Sequence, residues 1–597
     1  MAAKEIYSLD QGKKLLDPAI GPKKYWNILN TFLQRNKIPI IPPLWENGNF
    51  VIDYAKKADI FNDYFVMQGV PLNTSLPPPP LQLRTTQKLS TIPIEDDFIL
   101  KIIRSLNPNK ASGWDEISPM MVKICDSAIV KPISLIFKSC IETGIYPNKW
   151  KMSNVCPVYK KNSKNNKANY RPISLLPILS KIFEKMIFNS LYLYFTENNL
   201  LVNCQSGFIK GDSCASQLLS IVHSIHENLD SKPSLDTKGI FLDLSKAFDK
   251  VWHQGLISKL QSYGIEGNLL NLFTNYLDNR KQRVVINGAT SSWKPIKSGV
   301  PQGSVLGPLI FLIFINDLPD DLKCNPKLFA DDVSLIAVMY DNEKSTENIV
   351  TDLKLLHEWS VTWKMEFNPD ITKPAEEILF TNRKSSNYDP ITFENISIQS
   401  VDEHKHLGLI LDCKLTFEHH IDEKIAIANR GIGVIHRLFK YLPRKSLIQI
   451  YKSFIRPHLD YCDIIYHKPS FDVFSEGYYS ERAISDPAHT NENIVNKIEA
   501  VQYNSALAIT GCVRGSSREK LYLELGLEPL YERRLFHRLV FFYKIVNDLA
   551  PSYLKAFIPI PKINSYNTRR HREEWLHTRT LKYRYSFSPI LLTAGIN

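Results

Sequence analysis

The chain lacks closely spaced cysteines. Its nine cysteines are scattered, and no two of them have the two-residue spacing found in zinc ribbons and knuckles. Isolated thiols of this kind are typical of proteins that remain reduced inside the cell. The pattern therefore argues against a structural zinc site and favours ordinary buried cysteines.

The chain also lacks a long hydrophobic run. Its longest apolar stretch is PLIFLIFI at 308–315, which is too short to span a bilayer. The N-terminus, MAAKEIYSLDQGKK, has no apolar segment of the secretory type. We therefore expect a soluble, intracellular protein without membrane contacts. Its Lys and Arg clusters are too diffuse to decide between nucleus and cytoplasm.

Positive charge and apolar residues are both plentiful. The 597 residues include 73 Lys and Arg against 61 Asp and Glu, a formal net charge of +12, and 44% of them are apolar. This apolar fraction is sufficient for a substantial core. The basic excess favours a polyanionic partner, most often nucleic acid, because binding releases counterions. A solvated basic surface is the alternative that composition leaves open.

Helical and strand-like patterns divide the chain unevenly. Residues 1–94 are Pro-rich, with helices predicted over 23–35 and 53–66 and an extended linker over 71–80. Residues 149–171 hold seven Lys or Arg and no acidic residue, and we predict a loop there. The region from 421 onward is predicted to be mostly helical. Helices around a sheet, followed by a helical region, indicate an α+β fold.

Further elements are predicted from local patterns. The Asn-Gly pair in QRVVINGATSSWKPI predicts a β-hairpin. The other predicted helices are DDFILKIIRSL, SPMMVKICDSAIVKPISLIFKSCIETG, LLPILSKIFEKMIFNSLYLYF and residues 350–366, and the predicted strands are GIFLDL, KLFADDVSLIAV and IQSVDEHKHLGLILD.

Three carboxylates interrupt apolar, strand-like runs. Asp243 lies in GIFLDLSKAFDKVWH, and Asp331 and Asp332 lie in KLFADDVSLIAV. Burying an unpaired carboxylate is costly, so these runs suggest a bound cation. Hard divalent metals prefer carboxylate oxygens, and metal pairs held in this way catalyse displacement at phosphorus.

The spacing of the carboxylates restricts how they can meet. Adjacent side chains of a strand point to opposite faces, so Asp331 and Asp332 converge only if they lie at a hairpin tip. Asp243 must then come from a neighbouring strand. Asp249 follows a change to helical pattern, so we expect it to face elsewhere. Two interpretations remain open from the residues alone: a catalytic metal site, or a β-turn whose aspartates bind local amides.

A glycine-rich segment lies between the two carboxylate runs. SGVPQGSVLGP at 298–308 contains three glycines and two prolines, which indicates a loop that approaches something closely. Gln302 offers amide donors and acceptors to a nucleotide or a primer strand. The alternative is a structural loop before the buried helix IFLIFINDL.

Seven motifs together resemble one family. FLDLSKAFDKVWH, SGVPQGSVLGP and FADD, in this order, resemble the core motifs of the reverse transcriptase domain of non-LTR (LINE-like) retrotransposons. NYRPISLLPILSKIFEK, QSGFIKGDS, FNPDITK and HLGLILD agree with that family. The resemblance covers residues 95–430, and the flanks resemble jockey-type elements more loosely.

The resemblance implies a fold and an activity. The fold is a right-hand polymerase with fingers over 95–235, a palm over 236–415 and a thumb-like helical region over 416–550. A helical extension over 1–94 precedes it, and we expect a basic, poorly ordered tail over 551–597. The activity is RNA-directed DNA polymerase, a nucleotidyltransferase that extends a DNA primer on an RNA template. The implied partners are the RNA template, a DNA primer or target DNA, and dNTPs.

The resemblance also assigns roles to individual residues. Asp243, Asp331 and Asp332 match the ligands of two Mg²⁺ ions, for which Mn²⁺ can substitute, and oxygen ligands suit metals of this hardness. The resemblance implies that the other matched positions contact the triphosphate, the sugar, the incoming nucleotide, the leaving pyrophosphate and the primer end. They are, in that order, Arg171 (with Lys160 or Lys161), Phe248, Gln302, Lys373, and the pair Leu407 and Gly408.

A second basic segment follows the polymerase motifs. Residues 431–459 contain no acidic residue, and we predict that their positive face tracks the nucleic-acid backbone. Lys452 and Arg456 are four residues apart, so a helix would present both on one side. A solvated face is the alternative. The basic residues are Arg437, Lys440, Arg444, Lys445, Lys452 and Arg456.

Two features depart from a whole element. Residues 1–94 do not resemble the apurinic-type endonuclease that usually precedes such a polymerase, so we expect the primer nick to come from elsewhere. The last residues do not resemble the usual element tail. A truncated, catalytically silent nucleic-acid-binding relic is therefore the alternative function, and a host-adopted polymerase is a third. The sequence gives no indication of oligomeric state.

Overall fold

The N-terminal helices pack in two places: the third packs on the first sheet, whereas the first two pack against the C-terminal helices. The computed structural model describes residues 2–17, 19–33, 41–69, 77–368, 375–383, 391–393, 396–466 and 490–558. The N-terminal elements are α1 (Ala2–Lys14), α2 (Pro22–Phe32), β1 (Leu44–Glu46), β2 (Asn49–Val51) and α3 (Tyr54–Gln68). Asp53 caps α3 by accepting a hydrogen bond from the Lys56 amide at 2.8 Å. Both predicted helices are present, with slightly different bounds.

Helix α3 joins the sheet through an apolar face. Ala58, Phe61 and Phe65 are buried against Val155 and Val284 of the first sheet. Burial of two phenylalanines contributes about 2–3 kcal/mol each. Residues 54–68 are therefore part of the folded unit that carries this sheet.

Helices and two strands fill residues 96–230. The elements are α4 (Asp96–Ser105), α5 (Pro119–Cys125), α6 (Val130–Thr143), β3 (Met152–Tyr159), β4 (Tyr170–Leu175), α7 (Ile178–Glu197) and α8 (Cys214–Asp230). The predicted loop over 149–171 is wrong, because β3 and the start of β4 lie within it. Pro157 concealed the strand, and it is tolerated because β3 pairs with β4 alone beyond residue 155. The loop proper is the basic stretch between the two strands.

The remaining strands complete two five-stranded sheets and form two separate two-stranded sheets. The elements are β5 (Asp236–Asp243), α9 (Ala247–Lys250), α10 (His253–Ser262), α11 (Gly267–Leu277), β6 (Lys281–Ile286), β7 (Ala289–Thr290), β8 (Lys294–Pro295), α12 (Gly307–Ile315), β9 (Asn325–Phe329), β10 (Asp332–Met339), α13 (Asn342–Trp363), β11 (Glu376–Phe380), β12 (Thr392–Phe393), β13 (Ile396–Ser397), β14 (Gln399–Ser400), β15 (Glu403–His406) and β16 (Leu409–Asp412). The first sheet has the order β4-β3-β6-β7, with β8 also paired to β6, and the second has the order β14-β11-β5-β10-β9. The two-stranded sheets are β12–β13 and β15–β16.

Local sequence explains the two clearest hairpins. Asn287 and Gly288 have φ values of 48° and 85°, as a two-residue type I′ turn requires, so the predicted β6–β7 hairpin is confirmed. Strands β9 and β10 form the second hairpin, with Phe329 opposite Asp332. It lies at one edge of the second sheet and carries the predicted acidic pair.

Strand β5 lies at the centre of the second sheet, which has a core on each side. Ile240 and Leu242 belong to the core that includes α12, whereas Phe241 contacts the core of the C-terminal helices. Alternate side chains of a strand point to opposite faces, which explains this division. Burial on both faces fixes the strand that ends at Asp243.

The C-terminal region is helical, as predicted. Its elements are α14 (Glu418–Leu438), α15 (Arg444–Ile450), a π-helical turn (Tyr451–Ile455), α16 (Arg456–Asp460), α17 (Asp463–Tyr466), α18 (Thr490–Thr510), α19 (Arg518–Leu525) and α20 (Leu530–Val546). The mixture of helix and sheet agrees with the predicted α+β class. Within the described ranges, no helix combines the length and apolar character needed to cross a membrane.

Candidate active site

The three predicted carboxylates meet at one end of the second sheet. Asp243 ends β5 and is the Cα partner of Asp332, the first residue of β10. Directly opposed residues of antiparallel strands have neighbouring side chains on one face. Asp331 lies in the β9–β10 turn, and its carbonyl accepts a hydrogen bond from the Leu244 amide at 3.2 Å. The turn, and not a continuous strand, is what allows adjacent aspartates to approach the same site.

Side chains from the QSGF segment fix this turn. Ala330 has a φ of 54°, in the left-handed region. The Gln205 side-chain oxygen accepts hydrogen bonds from the amides of Ala330 at 2.9 Å and Gly207 at 2.8 Å. A Cβ on Gly207 would lie 2.3 Å from the Ala330 nitrogen, so glycine is required for this approach. The position of Asp331 thus depends on residues 205–207.

Burial raises the pKa values of two of these carboxyl groups, and like charges add to the shift of one. Burial, followed by the charges of Asp331 and Asp243, raises the pKa of Asp332 to about 7. Burial also raises the pKa of Asp331, and the nearby Lys160 and Arg171 partly offset this effect. A bound cation would reduce the repulsion that Asp332 experiences from Asp331 and Asp243.

The donors fit a hard divalent metal in chemistry, but they do not form a closed ligand set. All three candidates are carboxylates, as Mg²⁺ prefers. Within the described residues, no three His, Cys, Asp or Glu side chains converge as a preformed metal site. The three aspartates therefore lie near one another without the spacing of bound ligands.

Arg171 lies on the first sheet, close enough to influence the carboxylates. It is exposed on β4 opposite Val158 of β3, and the Lys160 amide donates to the Asn169 carbonyl at 2.8 Å just beyond that pair. Lys160 and Arg171 both lower the pKa of Asp331 electrostatically. The two cations and the carboxylates thus border one region from two different sheets.

Phe248 packs against two other phenylalanines. Its ring stacks on Phe311 of α12, with centroids 4.7 Å apart, and meets Phe208 edge-on at 6.1 Å. The ring is partly exposed. It therefore has a packing role on one side and an accessible surface on the other.

The glycine-rich segment is tied to the first sheet and to α9. The Gln302 carbonyl accepts a hydrogen bond from the Ser174 amide of β4 at 2.7 Å. Its side-chain Nε2 donates to both carboxylate oxygens of Asp249, at 2.9 and 3.0 Å. We expected Asp249 to face away from the triad, and its carboxylate binds Gln302 of this loop.

Glu184 of α7 holds the other end of this loop. The buried Glu184 carboxylate accepts hydrogen bonds from the amides of Val305 at 2.8 Å and Leu306 at 3.3 Å, just before α12. Burial raises the pKa of Glu184, and the nearby Arg280 lowers it. Sequence reasoning missed Glu184, although the same signal, an acid within an apolar run, marks it in ILSKIFEKMIF.

The primer-end candidates lie on a separate two-stranded sheet, the β15–β16 hairpin. Leu407 and Gly408 form its tip with φ values of 45° and 86°. Tyr461 Oη donates a hydrogen bond to the Leu407 carbonyl. A Cβ on Gly408 would lie 3.2 Å from Tyr461 Oη. Lys373 lies outside the described residues.

The predicted basic face is largely engaged with acidic residues. Lys440 pairs with Glu5 at 3.1 Å, Arg444 pairs with Glu524, and Arg456 pairs with Asp460 at 3.6 Å. The other three candidates are Arg437, Lys445 and Lys452. They form no ion pair within the part of the chain that the structure describes.

We expected Lys452 and Arg456 to share one face of a single α-helix. Residues 444–460 do not form one continuous α-helix. A π-helical turn separates α15 from α16. Pro457 lacks an amide hydrogen and would disrupt continuous α-helical hydrogen bonding, which accounts for the interruption. The argument from four-residue spacing therefore does not hold here.

Comparisons with known proteins agree with the site's location. Residues 159–411 match the family described as reverse transcriptase (RNA-dependent DNA polymerase). The chain is 28% identical over 467 residues to the probable RNA-directed DNA polymerase from transposon BS of Drosophila melanogaster, covering 76% of this chain and 48% of that protein. It is 30% identical over 387 residues to the RNA-directed DNA polymerase from mobile element jockey of the same organism, covering 62% and 41%. The chain spans about half the length of these curated relatives or less.

Proposed function

Residues 159–411 belong to the reverse transcriptase family, and from this premise we propose that the protein is an RNA-directed DNA polymerase of the non-LTR retrotransposon type. The observation that carries the proposal is the crowding of Asp243, Asp331 and Asp332 at the β5–β10 end, inside the matched range. Its proposed substrates are dNTPs, and its proposed partners are an RNA template and a DNA primer.

The aspartates supply the negative charge that metal-assisted nucleotidyl transfer requires. Asp243, Asp331 and Asp332 would hold two Mg²⁺ or Mn²⁺ ions, which neutralise charge on the reacting phosphate oxygens when bound. The raised pKa of Asp332 supports this role, because it reflects repulsion that a cation would relieve. The proposal does not depend on a preformed ligand geometry.

Residues around the carboxylates would select and hold the nucleotide. Arg171 and Lys160 would bind the triphosphate, since guanidinium and ammonium groups suit phosphate oxygens. The exposed side of Phe248 would lie under the sugar and exclude a 2′-hydroxyl. Gln302 would contact the incoming nucleotide, and Lys373 would protonate the leaving pyrophosphate.

The larger architecture follows the same proposal. Fingers would comprise residues 95–235, the palm 236–415 and the thumb-like region 416–550. The β15–β16 hairpin tip, Leu407 and Gly408, would support the primer end.

Primer extension on an RNA template tests the function. With Mg²⁺ and dNTPs, we expect the full chain to extend an annealed DNA primer. Asp331→Asn should reduce extension by about three orders of magnitude or more while leaving the circular dichroism spectrum unchanged. The matched control is Asp97→Asn, because Asp97 is exposed on α4 in a different part of the fold.

Two outcomes would contradict the proposal. Equal extension by wild type and Asp331→Asn would remove the assigned site. If the folded wild-type protein does not extend primers at all, the nucleic-acid-binding relic is the better description.

A further inference from the structure

Asp249 lies beside the proposed nucleotide site without belonging to the carboxylate triad. It is in α9, at the end of FLDLSKAFDK, and its carboxylate accepts both hydrogen bonds from Gln302 Nε2. The backbone on each side of Asp249 also contacts the loop. The amide of Val300 donates to the Phe248 carbonyl and that of Gly299 to the Val251 carbonyl, both at 2.8 Å.

Close backbone contacts leave Asp249 little freedom to move. Gly299 has a φ of 80°, and a Cβ there would lie 2.5 Å from the Asp249 carbonyl oxygen. A Cβ on Gly69, just after α3, would lie 2.9 Å from the same atom. Ser298 Oγ donates to that carbonyl at 3.2 Å. The carboxylate therefore projects from a backbone held on two sides.

The contact determines the orientation of the Gln302 amide. An ionised carboxylate can only accept hydrogen bonds, so the NH₂ group of Gln302 must face Asp249. The amide oxygen Oε1 then faces away from Asp249, as an acceptor. Burial raises the pKa of Asp249 to about 6, so its carboxyl group is ionised at pH 8.

We propose that Asp249 is a positioning residue that holds the Gln302 side chain with its carbonyl oxygen directed to the incoming nucleotide. The inference rests on the proposed polymerase function and deepens it. Asp249 does not contact the reacting atoms in this assignment, and it acts only through Gln302. Because Gln302 Oε1 accepts hydrogen bonds, this orientation favours a group of the nucleotide that donates one.

Steady-state kinetics of Asp249→Asn test the role. Asparagine has nearly the same size, but it offers one acceptor oxygen and an NH₂ group that can pair with a flipped Gln302. We expect KM for the dNTP to rise about tenfold at pH 8, because a charge-assisted hydrogen bond is lost. The value of kcat should change by less than about threefold, because the aspartate triad is untouched.

A double-mutant cycle separates positioning from general stability. Gln302→Ala should raise KM to a similar extent, and Asp249→Asn should add little in that background, since both changes remove one linked function. Asp352→Asn is the matched structural control. Asp352 is buried on α13 and accepts hydrogen bonds from the amides of Lys323 at 2.9 Å and Cys324 at 2.7 Å, so its loss should lower Tm and leave KM unchanged.

The outcomes distinguish this inference from the proposed function. Active wild type with an unchanged KM in Asp249→Asn would overturn the positioning role alone. Additive effects of Asp249→Asn and Gln302→Ala on KM would also overturn it. If Asp249→Asn does not fold, Asp249→Glu, which retains the carboxylate, is expected to keep KM within about threefold of wild type, and a tenfold rise there would count against the role. Absence of polymerisation by wild type would remove both proposals together.

Discussion

The carboxylate cluster of the second sheet and the basic segment 431–459 differ in the sign of their charge and also in how that charge is paired within the fold. Asp243, Asp331 and Asp332 crowd together, and burial followed by their mutual repulsion raises the pKa of Asp332. In the basic segment, by contrast, three of the six basic side chains pair with acids, two of them with distant residues and one with the nearby Asp460. Like charges face one another in the first region, whereas half of the charged side chains of the second have ion-pair partners within the fold.

This difference shows what a run of like charge means physically. Like charges held at short range destabilise the folded state, so the carboxylate cluster favours the binding of a cation. Exposed ion pairs contribute about 0–1 kcal/mol each, and they also reduce the charge available to a polyanion. We therefore expect changes in the first region to affect chemistry and changes in the second to affect only binding.

The largest expected effect belongs to Asp332→Asn. We expect DNA synthesis to fall by about three orders of magnitude or more, because one member of the acidic cluster is neutralised. Without divalent metal at pH 8, Tm should rise by about 1–3 °C, because a like charge is removed. Primer extension and thermal unfolding measure the two effects.

The pH dependence of that stabilisation has a definite sign. A carboxyl whose folded pKa is about 7 costs stability above that pH, and the cost disappears as pH falls towards the ordinary aspartate pKa of about 3.9. The Tm gain of Asp332→Asn should therefore be larger at pH 8 than at pH 5. Mg²⁺ should stabilise wild type more than the variant. A lower Tm for the variant at pH 8 would mean that the crowding argument is wrong.

Local sequence predicted the carboxylate region better than the basic one, for a physical reason. The hairpin tip at Asp331 and the neighbouring strand of Asp243 follow from side-chain alternation, and the motif resemblance agrees with the family match over 159–411. The partners of the basic segment were invisible because Glu5 and Glu524 lie far away in the chain.

Two further features could not be predicted from local pattern. Strand β3 is interrupted in pattern by Pro157, and only its pairing with β4 and β6 identifies it as a strand. The bond between Asp249 and Gln302 joins residues 53 positions apart. Both depend on tertiary contacts, which override local preference.

A smaller effect is expected for Phe248→Ala, which tests whether the first region also selects the substrate. Removal of the ring should raise ribonucleotide relative to deoxyribonucleotide incorporation about tenfold, because space opens for a 2′-hydroxyl. Loss of the stack on Phe311 should also lower Tm by a few degrees. Single-nucleotide incorporation with matched dNTP and rNTP measures the ratio.

Phe248→Tyr is the control for the ring itself. It retains the aromatic face and should keep the wild-type selectivity. An unchanged ratio in Phe248→Ala, with activity retained, would indicate that Phe248 serves packing alone.

The smallest effect concerns the basic segment and divides its six residues by their partners. Replacement of the three without an ion pair in the described residues, Arg437, Lys445 and Lys452, by Gln should weaken binding to a primer–template duplex about threefold to fivefold at 0.1 M salt. The slope of log K against log salt should become shallower by about 1–2, because fewer counterions are released. Fluorescence anisotropy over a salt series measures both quantities.

The three paired residues provide the matched comparison. Replacement of Lys440, Arg444 and Arg456 by Gln removes the same formal charge but also breaks pairs with Glu5, Glu524 and Asp460. We expect a smaller change in salt slope and a larger fall in Tm than for the unpaired set. Because Arg456 and Asp460 are both largely covered, most of the lost stability should come from that pair. Equal salt slopes for the two triple variants would show that internal ion pairs do not make the basic side chains less available to phosphate groups. The contrast between the two regions would then depend on the carboxylates alone.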